Sequence, residues 1–298
     1  MNRSQPRLPV RKLIVSTAFG LLASGCSRAG VVLGQRPIDL ALPNGIEVGF
    51  NHRGDRRYQS PLSGEWRNGD DLEQMLIDAI QSAEEEILVA VQELSLPQIA
   101  QSLVAAARRG VNVKVILENN YSTPWSQAHE LDLSGHGRQR LQRLRAQADQ
   151  DRNGVVSSEE ARKHDALLIL QNGQIAWIDD TEDGSKGSGL MHHKFVVIDG
   201  ERVITGSANF TNSGIHGDAG ATHTRGNVNH LINIESEALA AVFKEEFAQM
   251  WGDGPGGSNN SRFGRNKTAQ PLQTVKVGPV KINVLFPPHA KTHPAHGL

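Results

Sequence analysis

Two short apolar runs, Ile87 to Val91 and Val111 to Leu117, flank a segment with helical signals, and this arrangement constrains the fold more than any other feature. Pro97 suits a helix's first turn, where its missing N–H would have no intrahelical acceptor, and Gly110 stops the segment that runs through Arg109. Strand, helix and strand in that order make a β-α-β unit, whose crossover implies parallel pairing and a sheet with helices packed on it. Upstream, Leu72, Met75, Leu76, Ala79, Ile80 and Ala83 recur at three- and four-residue intervals and mark one helical face. Downstream, Phe195 to Ile198 and Arg202 to Thr205 flank the turn signal Asp199-Gly200 and predict a hairpin. Leu231 to Ile234 predicts a further strand, and Leu239, Val242, Phe243, Phe247 and Met250 a closing amphipathic helix. The fold class expected is α/β, a mixed β-sheet sandwiched between helices.

The ends read differently. Arg3, Arg7, Arg11 and Lys12 precede an uncharged, mostly apolar stretch from Leu13 to Ala23, too short for a permanent membrane span and shaped like a signal peptide. Leu22-Ala23-Ser24-Gly25-Cys26 resembles a bacterial lipobox, and lipidation accounts for an unpaired Cys26, the chain's sole cysteine. Residues 1–26 are therefore expected to be a lipoprotein-type signal peptide. The protein is expected to be exported and anchored to a membrane, on the periplasmic or outer-membrane face, or secreted if Cys26 is not lipidated. Residues 252–272, which open with Gly-Asp-Gly-Pro-Gly-Gly-Ser, read as a linker, so one domain is expected over 46–251. Beyond it, Ile282-Asn-Val-Leu-Phe286 echoes Ile46-Glu-Val-Gly-Phe50, and 273–298 is expected to begin a second lobe, cut short.

The chemistry concentrates in Met191-His-His-Lys-Phe-Val-Val-Ile-Asp-Gly200 and Gly206-Ser-Ala-Asn-Phe-Thr211. Side chains alternate along an extended segment, so His192 and Lys194 share a face, His193 points opposite, and Ser207 and Asn209 share a face. A hairpin turning at Asp199 brings the second pair toward the first. A nucleophile or base, a cation and two hydrogen-bonding groups then converge, as a phosphodiester requires.

The pattern His192-x-Lys194-x4-Asp199-x6-Gly206-Ser207-x-Asn209 resembles the signature of the phospholipase D superfamily, and the surrounding elements resemble its domain over about Ile46 to Trp251. That resemblance implies a phosphohistidine mechanism without a catalytic metal: His192 as nucleophile, Lys194 and Asn209 binding phosphate oxygens with help from Ser207, and Asp199 helping to position the site. It also implies a second motif whose histidine protonates the leaving group, so activity needs a homodimer partner or a second lobe. Single-motif relatives follow the signature with a glutamate. The matching stretch here, Gly226-Asn-Val-Asn-His230, carries Asn229, which can accept from an imidazole N–H but cannot stabilise imidazolium by charge. His193 is expected to pack or hydrogen-bond, and His230 has no assigned task.

Asp149-Gln-Asp151-Arg-Asn153-Gly154-Val155-Val156-Ser157-Ser158-Glu159-Glu160 fits the twelve-residue EF-hand template. Asp149, Asp151 and Asn153 offer side-chain oxygens, Gly154 the sharp turn, Val155 its carbonyl, Ser157 a hydroxyl or water bridge and Glu160 both carboxylate oxygens. A structural calcium ion is therefore expected within an EF-hand-like insertion over 138–165; a solvated acidic loop is the alternative. Arg138, Arg140, Arg143 and Arg145 just before it predict a solvated face, with contact to lipid headgroups or nucleic-acid phosphates as the alternative. Asp179, Asp180, Glu182 and Asp183 predict a mobile loop beside the substrate, with calcium ligation as the alternative.

The formal charge of -1, from 31 basic and 32 acidic residues, gives no general attraction for polyanions. Together with the expected membrane anchor it favours phospholipid hydrolysis or headgroup transfer. The alternatives are an exported endonuclease acting on nucleic acid and a non-catalytic calcium-stabilised binding module.

Overall fold

The computed structural model describes residues 41–185, 189–217 and 226–289. The expected signal peptide with Cys26 lies outside the described residues, as does 290–298. After β1 (Ile46–Phe50), a small antiparallel hairpin of β2 (Arg57–Gln59) and β3 (Trp66–Asn68) leads into α1 (Leu72–Ser82). There Asp71 caps the helix, accepting from the N–H groups of Glu73 and Gln74 at 3.1 and 3.1 Å. The predicted β-α-β unit follows as β4 (Glu86–Val91), α2 (Pro97–Arg108) and β5 (Asn112–Leu117), with β4 and β5 parallel. Next come α3 (Gly135–Ala148), α4 (Ser158–His164), α5 (Ala166–Asn172) and β6 (Ala176–Asp179). The lobe closes with β7 (Lys194–Ile198), β8 (Arg202–Gly206), the short α6 (Asn212–Ile215), β9 (His230–Glu235) and α7 (Glu237–Trp251).

Seven strands form one mixed sheet in the order β1-β9-β8-β7-β4-β5-β6. Alternation along the central strands divides the core in two. Ile87, Val89, Val196, Ile198 and Ile204 face α1, α2 and α5, whereas Leu88, Ala90, Phe195, Val197 and Val203 face α7. The sheet is thus covered on both faces, as the apolar runs of β4 and β7 require.

The chain after α7 departs from the sequence-based expectation. Rather than a free linker, 252–272 is pinned to the lobe: Phe263 enters the core on the α7 side, the Ser261 N–H donates to Asp183 at 2.8 Å, and Lys267 pairs with Glu246. Rather than opening a second lobe over its described part, the tail forms an antiparallel hairpin of β10 (Gln273–Val277) and β11 (Val280–Val284). Val275 and Val277 join that same core, and the Phe286 ring lies 5.2 Å from Phe243. The echo of Ile46 to Phe50 has a plain cause: Ile282, Val284 and Phe286 alternate inward, as on any half-covered strand.

Asp199 takes the turn position expected of it. It occupies the turn between β7 and β8 with φ of 51°, at the end of β7 remote from Lys194. Its carboxylate accepts from the N–H groups of Glu84, Glu85 and Glu86 at 2.9, 2.8 and 2.8 Å, tying the turn to the start of β4. Partial burial raises its pKa, but these donors and Arg202 outweigh that, and the net shift is downward. A depressed folded-state pKa contributes stability that is present above the unfolded value, about 4, and is lost as pH falls through the folded one. Asp199→Ala is expected to cost about 2 kcal/mol in urea unfolding at neutral pH, and less under acid conditions. An unchanged midpoint at both pH values would contradict this structural role.

Candidate active site

The ends of four adjacent strands converge at one rim of the sheet. Val91 pairs with Lys194, Phe195 with Thr205, and Gly206 with Leu231, so the residues just beyond these pairs become neighbours. Backbone hydrogen bonds extend the junction: Gln92 N–H donates to His193 C=O at 3.0 Å, Phe210 N–H to Glu93 C=O at 3.0 Å and Ser207 N–H to His230 C=O at 3.1 Å. Gly206 is required here, because a Cβ would lie 2.2 Å from the His230 carbonyl oxygen. That close approach delivers Ser207 to Asn229.

The rim gathers four of the five residues that the motif singled out. His192, Lys194, Ser207 and Asn209 line one cleft of about 500 Å³, and Asp199 is not among them. Lys194 Nζ donates to Gln92 Oε1 at 3.2 Å and to the His192 carbonyl at 3.1 Å. Asn209 Nδ2 donates to the same Gln92 oxygen at 3.2 Å, and Asn209 Oδ1 is buried with no partner among the described residues. Ser207 Oγ donates to Asn229 Oδ1 at 2.9 Å, and Asn229 Nδ2 is committed to the Gly214 carbonyl at 2.7 Å. Asn229 therefore holds the serine. Among the described residues the His192 imidazole has no hydrogen-bond partner.

Electrostatics suit this group to an anion. Desolvation lowers the His192 pKa, and Lys194 and His193 push the same way, so the imidazole is held toward its neutral form. Desolvation lowers Lys194 to about 8, with Glu93 opposing. His193, as its parity requires, turns to the other side, where its Nε2 lies 2.8 Å from Glu246 and its ring packs edge-on against Phe195 and Phe286.

Sequence reasoning missed Gln92 and Glu93. The available signal was a pair of polar residues immediately after a buried run, since sites in α/β sheets gather beyond carboxyl ends of strands. It also misread part of α3. His136, Arg140, Arg143 and Gln147 line the cleft, and Arg140 pairs with Glu93 while its guanidinium lies 5.1 Å from the Tyr121 ring centroid. The acidic stretch near Asp179 pins neighbouring loops: Asp179 accepts from Ser122 at 2.6 Å and Asp180 from the Asn119 N–H at 3.0 Å.

The profile of the family described as "Cardiolipin synthase, PLD-like domain" matches residues 76–251. The chain belongs to this family. Curated relatives of this phospholipase D-like chain include the mitochondrial cardiolipin hydrolase of Xenopus laevis, 24% identical over 177 residues that make up 59% of each chain. The phospholipase D of Rickettsia conorii is 27% identical over 177 residues, 59% of this chain and 60% of that protein. The phospholipase D-like chain thus matches about three fifths of the length of these relatives. Among solved structures, the phospholipase D family member Nuc from Salmonella typhimurium is 20% identical, with 70% of this chain and 95% of that one covered at a TM-score of 0.40. Phosphatidylserine synthase from Haemophilus influenzae is 14% identical, with 70% and 39% covered at a TM-score of 0.38.

The loop read as a calcium site draws three carboxylates together: ligand oxygens of Asp149, Asp151 and Glu160 lie within 4.8 Å of one another. Gly154 has φ of 82°, and the Gly154 N–H donates to Asp149 at 2.8 Å. Val156 packs on the Trp125, Leu141 and Ala148 cluster, whereas Val155 is exposed. Glu160 accepts from the N–H groups of Ser157 and Gln150 at 2.9 and 2.8 Å, and these donors hold its pKa down to about 2.

NMR titration of the lysine side chains is expected to show one midpoint near 8, missing from Lys194→Arg. A Lys194 midpoint near its ordinary 10.5 would contradict a desolvated ammonium in the cleft.

Proposed function

We propose that this chain cleaves a phospholipid phosphodiester through a phosphohistidine intermediate. The carrying observation is the position of His192 where two surfaces meet. On one side lies the polar cleft with Lys194 and Asn209; on the other, an apolar groove of Leu190, Met191, Phe263, Phe286 and Pro287, which His192 also lines. An amphiphile lying along both would put its polar–apolar junction, where the phosphate is, against the imidazole.

Neutral His192 attacks phosphorus, a P–N bond forms, and the bond to the leaving oxygen breaks. Lys194 and the Asn209 amide stabilise the oxygens that gain charge, and Ser207 assists. The leaving oxygen takes a proton from a second imidazole, which a homodimer partner or a further lobe supplies. Water, or another alcohol in headgroup transfer, then displaces the histidine, returning a proton to that second imidazole.

A structural calcium ion belongs to the same proposal. The hard oxygen set of Asp149, Asp151, Asn153, Val155, Ser157 and Glu160 suits calcium, and the three converging carboxylates carry like charges that a cation would relieve. Its place is between α3 and α4. With affinity on the order of 10⁻⁴ to 10⁻³ M, about 1 mM calcium would stabilise the fold by roughly 0.4–1.4 kcal/mol.

Phosphatidylcholine vesicles and plasmid DNA offered to the full chain separate the readings. Lipid turnover that falls at least about a thousand-fold in His192→Ala is expected. Plasmid nicking without lipid turnover would favour the endonuclease, and undiminished turnover in the variant would remove His192 as nucleophile. For the loop, calcium is expected to raise Tm by a few degrees and Glu160→Gln to abolish the rise. An equal rise in that variant would count against the site.

A further inference from the structure

A buried charged cluster behind the cleft, made by His193, Glu246 and Lys267, has no part in the chemistry described so far. The Glu246 side chain, on α7, is 1% exposed; its Oε1 lies 2.8 Å from His193 Nε2 and also accepts from Lys267 Nζ. Lys267 comes from the segment after α7, and its own side chain is 5% exposed. Apolar side chains of similar volume would fill this space at least as stably, because a buried ion pair must be stripped of water. Packing alone therefore does not account for the pair.

The charges balance without His193. Glu246 brings one negative charge and Lys267 one positive. Burial raises the Glu246 pKa, but the His193 hydrogen bond and the Lys267 charge outweigh it, and the net shift is downward. An ionised carboxylate only accepts, so the facing Nε2 carries a proton. A second proton on the ring would add a positive charge that Glu246, already matched by Lys267, does not offset. Along the adjoining groove Arg265 adds a further cation, and Asp180 is engaged with the Asn119 N–H.

His193 in turn governs its neighbour. His192 precedes β7 and lies outside the strand ladder, so adjacent residues fix it. Met191 is buried in the core on the α7 side. His193 is held twice, its carbonyl by the Gln92 N–H at 3.0 Å and its ring by Glu246, with the Phe286 ring 5.5 Å away and nearly perpendicular.

We propose that Lys267 and Glu246 are positioning residues for His192: Lys267 balances the buried Glu246, and a neutral His193 then donates to Glu246 and anchors the peptide that presents His192 to the cleft. The role rests on His192 as the reacting group in the reading above and deepens it. Lys267 lies beyond residues 76–251, the span of the family match, so the tail completes the site.

The test compares three forms of the intact chain by NMR at neutral pH, with isotope-labelled histidine. In wild type, His193 is expected to be neutral with its proton on Nε2. Lys267→Met leaves Glu246 with no other counter-charge, and is expected to turn His193 into an imidazolium. The double variant Glu246→Met, Lys267→Met replaces the pair by apolar side chains, so its unfolding midpoint is expected to hold or rise. Its His192 amide is nevertheless expected to loosen, with the order parameter falling from about 0.85 toward 0.6. On phosphatidylcholine vesicles the same variant is expected to lower kcat by about ten-fold at unchanged KM, the mark of a misplaced reacting group. An imidazolium His193 in wild type, a neutral one in Lys267→Met, or an equally ordered His192 in the double variant overturns the proposal. Wild type that shows the expected ring states and order but leaves the vesicles intact overturns the lipid reading and supports the positioning role.

Discussion

A neutral oxygen organises the candidate site. Gln92 Oε1 accepts from both Lys194 Nζ and Asn209 Nδ2, fixing the cleft's two nitrogen donors relative to each other. A carboxylate in that place would hold them as well but would cancel the ammonium's charge and make any incoming anion compete with it. An amide oxygen orients without neutralising. The lowered Lys194 pKa fits that arrangement: the ammonium is desolvated, and the carboxylate that opposes this, Glu93, is paired with Arg140. The neighbouring His192, its pKa lowered by burial and by the Lys194 cation, is held toward the neutral form that the proposed attack on phosphorus needs.

Much of this was legible in the sequence because it is local. The β-α-β unit, the hairpin and the closing helix rest on periodicities and turn signals that act over a few residues, and each element formed close to its expected bounds. The opposed faces of His192 and His193 follow from strand alternation alone. What was not legible depends on which strand ends meet. Gln92 and Glu93 become site residues only because β7 pairs antiparallel with β4, and no pattern near residue 92 announces that pairing. The arginines of α3 illustrate the same limit. Their spacing is compatible with a solvated face, and only the position of α3 over the rim turns one side of it toward the cleft. The tail misled for the opposite reason: an alternating Ile-x-Val-x-Phe pattern marks a half-buried strand in any lobe, so it carried less information about repetition than its three matches suggested.

The segment between β5 and β6 does more than close a crossover. Its helices build a small core of their own around Trp125, Leu141 and Ala148, and Leu141 lies on the helix that also bears Arg140 and Arg143. One face of α3 is therefore bedded while a neighbouring face looks into the cleft. Rigidity there matters, because a guanidinium that must be ordered on binding gives back part of its contact energy as lost side-chain entropy.

Adjacent histidines make strand register a chemical matter. The side-chain period in a sheet is two, so sliding β7 by a single residue along β4 would present His193 to the cleft and send His192 in among the phenylalanines. Asp199, at the far end of that strand, grips three successive amides that lead into β4, and so works as a detent against such a slip. An aspartate outside the cleft thereby selects which imidazole faces it.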